Sequence, residues 1–501
     1  MVATEPEYHR ILSEPLRSWI SDSADYSTPV GLLACQRNPL LRKNTAFVIS
    51  STLSAPPPPP KGKQNKKSVI APTLPTGVPV LEVILSDTVL FPEGGGQPTD
   101  TGIFRTQDGS VWPVLKVLRQ GGTAVHYVQH VGDQTPEEAL QKYFAAGVKI
   151  EVELDNGGWE RRTDHMTLHT SQHLLSALLD TKLQLPTLSW SLTSSGPCYV
   201  EIPRGMTTEE ILMIQNEANR LVFEGTKVHI EVQELDRTAI APVEKTENGR
   251  AVGRGLPEDY TGGVHRVVHI AGVDINPCCG THLPSLNNLQ LFILPHTDAL
   301  SRSATTVARL YFLAGPRLIN HLTSTHNSLA STAALLSCGL PQVPERVAQV
   351  VDDRKSVTKR SEDLELELAK FIATEISSEM DKTSPGGLFR KHVHRLDDSP
   401  SALAFLTAIA SALADLAAKS SLKQSYILVL SSSPSSPALT GTNVVLVLGS
   451  DDARVKIVGD GLKSTLGVKG GGKGSRWSGK LVGTWKAKED AVVEEILEKV
   501  S

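Results

Sequence analysis

Two pairs of possible metal ligands share the same spacing, although they lie far apart in the chain. His169 and His173 are four residues apart in a segment whose leucines recur at helical spacing. Residues i and i+4 of a helix project from one face, so the two imidazoles could share an ion. Cys278 and His282 repeat this spacing around a Gly-Thr turn in NPCCGTHLP. Three imidazoles and a thiolate suit zinc, although each pair alone would also fit an ordinary surface or core position.

A glycine-rich stretch, SDTVLFPEGGGQPTDTG, offers a second kind of chemistry. Gly94, Gly95 and Gly96 expose backbone N–H groups and allow a ligand to approach the main chain closely. Such donors can bind an anion or a developing oxyanion, although an ordinary hairpin loop has the same composition. Thr88 and Gln97 add a hydroxyl and an amide at the two ends of the loop. The stretch therefore suits recognition of a small polar substrate.

A basic stretch near the C-terminus could bind RNA. Residues 461–488 contain seven Lys or Arg residues, two tryptophans and no acidic residue. Flexible glycines with basic and aromatic side chains favour contact with a nucleic-acid backbone together with base stacking. The residues that we expect to make these contacts are Lys469, Lys473, Arg476, Trp477 and Lys480. The alternative is a solvated loop before the last helix.

The overall composition narrows the class of protein. Of the 501 residues, 40% are hydrophobic and 21% are charged, as in globular proteins, and the net charge is −4. This charge predicts neither nucleic-acid nor membrane binding, so an RNA partner requires a local basic surface. The chain has no apolar run of the roughly 18 residues that a membrane span needs. With no signal-like leader and only five cysteines, we expect a soluble cytoplasmic protein without a membrane partner.

The elements that must position these residues indicate an α+β protein of several domains. Residues 1–28 are weakly patterned and are assigned to an N-terminal tail or a short docking segment. Short strands separated by Gly, Asp and Asn predict a small β-barrel domain over 29–150, which carries the glycine-rich loop. Within this range, the proline and lysine run of 52–76 predicts a disordered insert, which is either a spacer or a weak contact to an RNA backbone.

Helices and strands alternate beyond the barrel. The alternation predicts an α+β domain over 151–315, which would carry all four possible metal ligands. Residues 316–385 have the pattern of a helical linker. Residues 386–501 alternate helices and strands again, which predicts a C-terminal α/β module.

Three motifs occur in an order that a known family shares. A strand ending in DTVLFPEGGGQPTDTG, then RRTDHMTLHTSQHLLSALL, then CCGTHLP resembles the free-standing alanyl-tRNA editing proteins and the editing domain of alanyl-tRNA synthetase. This resemblance covers the range from about residue 29 to residue 315. The helical segment and the module containing GGGKGSRWSGKLVG are similar to the linker and C-terminal tRNA-binding domain of the long form of these proteins. We therefore expect an editing factor and not a synthetase.

The resemblance implies a trans-editing hydrolase that removes a wrongly attached amino acid from tRNA(Ala), chiefly serine, with glycine as a second candidate. It places one Zn²⁺ per chain on the two ligand pairs, the glycine-rich motif on residues 94–97, and Thr88 near the amino-acid pocket. One departure is Cys279, which stands where the synthetase-type motif has its first glycine. We assign Cys278 to the metal and Cys279 to the pocket wall, with an alternative role for Cys279 as a ligand.

Parts of the mechanism stay open at the level of sequence. Four protein ligands would close a tetrahedron, so the metal either activates water from an altered ligand shell or only orders the pocket. The general base could be Asp164, His165 or the terminal ribose hydroxyl of the tRNA. Two other functions also fit the residues: an RNA-binding zinc protein without catalysis, and a metal-dependent hydrolase of a small ester or amide. The oligomeric state is open as well.

Overall fold

The chain divides into two compact units, Met1–Ser328 and Leu329–Ser501. The structure is a computed structural model. It describes residues 8–55, 77–192, 196–235, 264–299, 307–384, 386–399, 401–419, 424–436 and 441–501.

The first unit contains most of the short strands and the helix that carries the histidine pair. Its elements in chain order are β1 (His9–Ile11), α1 (Ala34–Arg37), β2 (Lys43–Leu53), β3 (Val80–Leu85), β4 (Gly102–Arg105), β5 (Val111–Gln120), β6 (Thr123–Gln129), α2 (Pro136–Tyr143), β7 (Lys149–Glu153), α3 (Asn156–Leu183), β8 (Ser189–Ser191), β9 (Cys198–Ile202), α4 (Thr208–Phe223), β10 (Val228–Glu234), β11 (Val264–Ile270), β12 (Asp274–Pro277), β13 (Phe292–Ile293), β14 (Thr297–Ala299) and β15 (Ala308–Ala314). Helix α5 (Gly315–Leu335) begins in this unit and ends in the second.

Six strands close into a barrel in the order β2-β3-β6-β5-β4-β7. Successive residues of a strand point to opposite faces, so side chains alternate between the interior and the solvent. In β7, for example, Ile150 and Val152 are buried, whereas Glu151 and Glu153 are partly exposed. The predicted barrel is confirmed, and its last strand continues past the predicted boundary at residue 150.

Two further sheets share a hydrophobic core with α3 and α4. One has the strand order β1-β10-β11-β12, and the other has the order β13-β15-β9-β8 with β14 paired to β15. Asp155 caps α3 by accepting a hydrogen bond of 2.7 Å from Gly158 N. Every side chain from His165 to Leu179 is buried. Because α3 is enclosed on all sides there, its histidines are held in place by packing.

Residues 8–28 pack on the first unit, which differs from a free tail and agrees with the alternative of a docking segment. Strand β1 pairs in parallel with β10, with His9 opposite Ile230, and Leu16 is fully buried. A strand of three residues carries almost no periodic signal, which is why the sequence pattern does not reveal it. Residues 1–7 lie outside the described residues.

Most of the predicted insert over 52–76 falls on residues 56–76, which lie outside the described residues. The barrel takes in the first part of this range, because β2 continues to Leu53 and pairs there with Leu81 of β3. The predicted domain boundaries at 315 and 385 stay predictions.

The second unit is built on one mixed sheet with helices on both faces. Its elements are α6 (Val343–Met380), β16 (Leu388–Leu396), α7 (Ala402–Lys419), β17 (Ser425–Ser433), β18 (Thr442–Gly449), α8 (Asp452–Leu466), β19 (Lys469–Lys473), β20 (Arg476–Val482) and α9 (Ala487–Glu498). The strand order is β16-β17-β18-β20-β19. Along β17, Leu428 and Leu430 pack toward α6 and α7, whereas Ile427 and Val429 pack toward α8 and α9. The predicted α/β module is confirmed.

Helix α7 is, among the described helices, the one that is long and apolar enough to cross a membrane. Its side chains Phe405, Ile409 and Leu413 are buried, and they pack with α6 and the sheet. One face of α7 therefore belongs to the core of the second unit, and 28% of the helix is buried.

Candidate active site

Helix α3 and the turn after β12 bring the two predicted ligand pairs together. His169 and His173 project from α3, and Cys278 and His282 lie in the segment that follows β12. The four ligand atoms lie within 4.8 Å of one another, and all four side chains are buried. Cys278 Sγ is 3.4 Å from His169 Nε2 and 3.4 Å from His282 Nε2.

These distances fit a four-coordinate zinc site. Zn–N bonds of about 2.0–2.1 Å and a Zn–S bond of about 2.3 Å at tetrahedral angles place nitrogen and sulfur roughly 3.5 Å apart. A thiolate and imidazoles are also donors that zinc prefers. The cluster can therefore hold a metal ion.

Two polar side chains orient the imidazoles from outside the cluster. Gln97 Oε1 lies 3.0 Å from His169 Nδ1, and Asp274 Oδ2 lies 3.2 Å from His173 Nδ1. Each oxygen can accept the Nδ1 proton, which leaves the Nε2 lone pair for a metal. Gln97 belongs to the predicted loop, whereas Asp274 has no sequence signal beyond its place in the strand that leads to Cys278.

The cluster favours an ionised thiol. Burial disfavours the thiolate of Cys278, but the surrounding imidazoles, led by that of His169, lower the thiol pKa well below its ordinary value. Burial also disfavours the charged form of His173, but Cys278 and Asp274 outweigh burial and raise the His173 pKa to about 9. The thiolate is the form that binds metal, so these neighbours prepare Cys278 as a ligand.

The glycine-rich loop forms a tight turn against this cluster. The ends of the 94–97 turn exchange backbone hydrogen bonds of 3.0 and 3.2 Å. Gly95 and Gly96 have φ angles of +61° and +79°, a left-handed conformation that favours glycine. A methyl group added to Gly95 would lie 3.1 Å from Cys279 Sγ and 3.6 Å from His169 Cε1. The turn therefore borders both the cluster and the second cysteine.

The two central amides of the turn can bind a ligand. Within the described part of the chain, neither Gly95 N nor Gly96 N has a hydrogen-bond partner, and neither glycine is fully buried. Gly96 packs against Trp190, whose Nε1 would lie 2.4 Å from a methyl group added to that glycine. Neighbouring N–H groups of this kind can stabilise an oxyanion. The geometry suits the predicted role of the loop, which stays a prediction.

Three residues outside the predicted motifs hold the 278–282 segment by its carbonyl oxygens. Arg266 is buried and donates to the carbonyls of the first and third residues of the segment, at 2.8 and 2.7 Å. Gln36 Nε2 donates to the carbonyl of the second residue at 2.6 Å. The Tyr8 hydroxyl donates to the carbonyl of the last residue at 2.8 Å. Both N-terminal contacts come from the first part of the chain, so that part is needed to shape the site.

One sequence signal could have revealed Arg266. It occupies an inward position of β11, between the buried Val264 and Val268. A charge at an apolar position of a strand must have partners, since an unpaired buried charge is strongly destabilising. This position in the strand predicts that the arginine has hydrogen-bond or ionic partners, but it does not predict which carbonyls the arginine binds.

Comparison with known proteins identifies the family. The model of the threonyl and alanyl tRNA synthetase second additional domain matches residues 265–311, which include all but the first residue of β11, β12 and the 278–282 segment. The alanyl-tRNA editing protein Aarsd1 of Rattus norvegicus is 30% identical over 449 residues, which are 89% of this chain and 93% of that relative. The alanyl-tRNA editing protein Aarsd1-A of Xenopus laevis is 31% identical over 418 residues, which are 83% and 88% of the two chains. The chain belongs to the alanyl-tRNA editing proteins.

A synthetase is similar to part of this alanyl-tRNA editing protein. The alanine–tRNA ligase of Thermococcus kodakarensis is 31% identical over 303 residues, which are 60% of this chain and 30% of the ligase. The resemblance that the three motifs indicate is therefore confirmed.

In this alanyl-tRNA editing protein, a buried ion pair ties α3 to the segments that flank the glycine turn. Arg162 and Asp100 are fully buried, and Nε and Nη2 of Arg162 both donate to Asp100 Oδ2. Arg162 Nη2 also donates to Val89 O at 2.6 Å, and Phe91 N donates to Asp100 Oδ2 at 2.8 Å. These partners precede and follow the 94–97 turn, so the pair fixes the histidine helix relative to the turn.

We expect Arg162→Met to destabilise the protein by about 3–5 kcal/mol, because it leaves a carboxylate buried without its partner. Denaturant unfolding followed by circular dichroism measures this loss. Arg204→Met is the control, since Arg204 pairs with Glu210 at the surface and its side chain is 44% exposed. The control should lose at most about 1 kcal/mol. If Arg162→Met also lost at most about 1 kcal/mol of stability, the structural role of the buried ion pair would be contradicted.

Thr88 is buried, and its hydroxyl is already bonded within the protein. Oγ1 accepts a hydrogen bond of 3.0 Å from Leu90 N and lies 2.9 Å from His126 Nε2. His126 Nδ1 is 3.0 Å from Val83 O, which only accepts, so Nδ1 carries the proton and Nε2 accepts from the hydroxyl. Burial lowers the pKa of His126 to about 4, so the ring is neutral. Among the described residues, the backbone carbonyl of Thr88 links it indirectly to the cluster. This carbonyl accepts a hydrogen bond from Cys35 N, and the next residue, Gln36, binds the 278–282 segment.

Neither Asp164 nor His165 is placed to act as a general base. Asp164 accepts hydrogen bonds of 3.1 and 2.5 Å from Arg317, so its carboxylate is held in an ion pair. His165 is buried, and burial together with the nearby Arg161 lowers its pKa to about 3. An imidazole with so low a pKa is a weak base.

The five residues that were expected to contact RNA lie on a hairpin between α8 and α9, not on a loop. β19 and β20 pair antiparallel, with Lys469 opposite Lys480 and Lys473 opposite Arg476. Alternate residues of a strand share a face, so these four basic side chains lie on one face of the hairpin. The three lysines are exposed and Arg476 is half-buried. Binding of RNA by this basic face stays a prediction.

Trp477 lies on the other face of the hairpin. It is 5% exposed and packs in the core between the sheet, α8 and α9. A methyl group added to Gly459 would come within 2.8 Å of its ring. The base stacking expected of Trp477 is not compatible with this burial. The sequence pattern suggested a loop, in which neighbouring residues have no fixed faces, whereas strand register turns Trp477 inward.

Proposed function

We propose that the chain is a trans-editing deacylase that hydrolyses misacylated tRNA(Ala), chiefly Ser-tRNA(Ala), with Gly-tRNA(Ala) as a second substrate. The site would hold one Zn²⁺. The contact of the 94–97 turn with the four-ligand cluster carries this proposal, because it combines oxyanion donors with a metal-binding donor set. The names of the relatives, which the chain covers over 93% and 88% of their lengths, support tRNA(Ala) as the partner.

The reaction breaks the ester between the aminoacyl carbonyl and the terminal ribose. The water oxygen adds to the acyl carbon, and the ribose oxygen leaves with a proton. His169, His173, Cys278 and His282 would hold the Zn²⁺, which supplies positive charge beside the substrate when it is bound. The backbone N–H groups of residues 95–96 would donate to the carbonyl oxygen as negative charge develops on it.

The proton is proposed to move through the substrate. Asp164 is bound to Arg317, and His165 is a neutral ring of low pKa. The hydroxyl next to the ester on the terminal ribose lies beside both the attacked carbonyl and the leaving oxygen. It can take a proton from the attacking water as it gives its own proton to the leaving oxygen, so the step needs no protein base.

The test is deacylation of Ser-tRNA(Ala) and Ala-tRNA(Ala) by the full chain, before and after treatment with a chelator and after zinc is restored. We expect rapid loss of the seryl ester, little loss of the alanyl ester, and activity that falls and returns with zinc. A chain that binds tRNA(Ala) but leaves both esters intact would instead be an RNA-binding zinc protein. Equally fast hydrolysis of a small seryl ester would favour a small-ester hydrolase.

Thr88 is proposed to recognise the hydroxyl of the serine. Its Oγ1 donates to His126 and accepts from Leu90 N, which leaves one lone pair for the substrate. A site built around such a bond rejects a substrate that lacks the hydroxyl, by factors of up to ~10⁴–10⁵. We expect Thr88→Val to lower the ratio of kcat/KM for the seryl ester to that for the alanyl ester by at least about tenfold.

Thr99→Val is the matched control for this experiment. Thr99 is also buried in the first unit, and its Oγ1 accepts from Val117 N at 2.7 Å. Both variants lose a buried hydrogen bond and about 1–3 kcal/mol of stability. Only Thr88→Val should lose the preference for serine, and equal ratios in wild type and Thr88→Val would rule out the assignment.

The basic face of the β19–β20 hairpin is proposed to contact the tRNA backbone. We expect the triple change of Lys469, Lys473 and Lys480 to alanine to weaken tRNA(Ala) binding. The slope of log affinity against log salt should become shallower by about one for each phosphate that is no longer neutralised. Binding titrations at several salt concentrations measure both quantities, and hydrolysis of a short aminoacyl-RNA should be spared.

A second triple variant controls for the change in net charge. Lys382, Lys456 and Lys499 are also exposed lysines of the second unit. Their replacement by alanine changes the charge of the chain equally but leaves the hairpin intact. If both triple variants bind tRNA(Ala) with the same affinity and salt dependence, the hairpin is not the contact surface.

A further inference from the structure

The partly exposed face of the sheet β1-β10-β11-β12 carries a second cluster of possible metal ligands. Buried side chains alternate with partly exposed ones along β10 and β11. His229 and Glu231 are two residues apart on β10 and therefore share the partly exposed face. His269 on β11 is the direct cross-strand partner of His229. None of these three residues belongs to the cluster beside the glycine turn.

The second cluster is compact. Glu231 Oε1 lies 3.5 Å from His229 Nε2, and Glu231 Oε2 lies 3.2 Å from His269 Nε2. All three ligand atoms lie within 4.8 Å of one another. The two imidazoles stack with centroids 4.6 Å apart and planes 16° apart, which directs both Nε2 atoms to the carboxylate. The side chains are 18–26% exposed, so packing holds them while an ion can still enter.

These distances suit one divalent ion. Metal–ligand bonds of about 2.0–2.2 Å place neighbouring ligand atoms about 3–3.5 Å apart. Imidazole suits Zn²⁺, Cu²⁺ and Ni²⁺, and a carboxylate oxygen is a further common ligand of zinc. Three protein ligands at a surface leave room for water to complete the shell.

Arg10 competes with an ion for this position. It lies on β1 opposite Glu231, and its Nη1 is 3.4 Å from His229 Nε2 and 3.6 Å from Glu231 Oε1. A guanidinium there repels a divalent ion and occupies the carboxylate. Its side chain is 43% exposed, so it can turn toward solvent when an ion enters.

We propose that His229, Glu231 and His269 form a second metal site, which takes a borderline divalent ion such as Zn²⁺ and whose affinity Arg10 lowers. The site goes beyond the proposed hydrolysis, because none of its residues has a role in the ester reaction. Hydrolysis of Ser-tRNA(Ala) is therefore expected to persist when the second site is removed.

The test uses the untagged full chain, freed of metal by a chelator and titrated with Zn²⁺ by calorimetry. We expect two Zn²⁺ per chain in the wild type, one of them bound more weakly, and one Zn²⁺ in the double variant His229→Ala/His269→Ala. Glu231→Gln should lower the Zn²⁺ affinity of the second site by at least about tenfold. Loss of a residue that only supports a metal ligand already costs about that much, and Glu231 would be a ligand itself. Arg10→Ala should tighten the second site, which a merely misfolded variant could not do.

Two further measurements separate this site from its surroundings. Titration with Co²⁺ distinguishes the two sites, because only the first contains a thiolate and gives sulfur-to-cobalt charge-transfer absorption. His265→Ala is the matched control, since His265 lies on the same strand and face but pairs with Gln233 Nε2 at 3.2 Å. It should leave both ions bound. One Zn²⁺ per chain in the wild type, or two in the double variant, would overturn the proposal and leave the three residues as a surface ion pair.

Discussion

Cys278→Ser is expected to remove zinc from the protein and, with it, the hydrolysis of Ser-tRNA(Ala). The sulfur lies 3.4 Å from two imidazole nitrogens and accepts from Gly280 N at 3.4 Å. These neighbours stabilise a thiolate, whereas a serine hydroxyl stays protonated near neutral pH and binds metal poorly. We expect zinc affinity to fall at least about tenfold. Zinc content after dialysis and the deacylation rate should be measured on the same preparations.

Cys279→Gly is the control for this substitution, because it removes the neighbouring thiol. A methyl group added to Gly94 would lie 3.2 Å from Cys279 Sγ, so this sulfur faces the glycine turn. We expect the control to keep its zinc and to change only the packing between turn and pocket wall. Equal loss of zinc in the two variants would contradict the assignment of one cysteine to the metal and the other to the wall.

The two pairs of possible metal ligands could be predicted from sequence because the spacing within each pair is a local signal. His169 and His173 meet on one face of any helix that includes them, and α3 is such a helix. The barrel could be predicted for the same reason, since alternation along each strand shows which side chains face inward. Within each element the pattern is enough to show which side chains share a face, but only the fold brings the two ligand pairs together.

The supporting residues could not be predicted, because their roles depend on contacts between distant elements. Tyr8 binds a carbonyl of His282, and Asp274 orients His173, only after β1, β10, β11 and β12 have paired. The position of Trp477 could not be predicted from sequence for a similar reason. Whether it faces RNA or the core is decided by the register of β19, β20 and β18, and a change of one residue would reverse its face.

Gly280→Ala is expected to damage the cluster about as strongly as the loss of a ligand. A methyl group on residue 280 would lie 2.2 Å from His169 Cε1, 2.3 Å from His169 Nδ1 and 3.0 Å from Gln97 Oε1. The imidazole must therefore move, which breaks its hydrogen bond to Gln97 and takes Nε2 away from the other ligands. We expect zinc affinity to fall about 10- to 100-fold, with a parallel loss of Ser-tRNA(Ala) hydrolysis and an unchanged circular dichroism spectrum.

Gly157→Ala provides the control, because Gly157 lies in the first turn of α3 and a methyl group there meets nothing within 4 Å. It should keep its zinc and gain up to about 1 kcal/mol, since alanine is the better helix former. The contrast also accounts for the Cys-Cys-Gly sequence: position 279 faces the glycine turn, where a thiol fits, whereas position 280 faces His169, where no side chain fits. Full zinc content in Gly280→Ala would mean that His169 is not a ligand in the position described, and the four-ligand site would have to be reassigned.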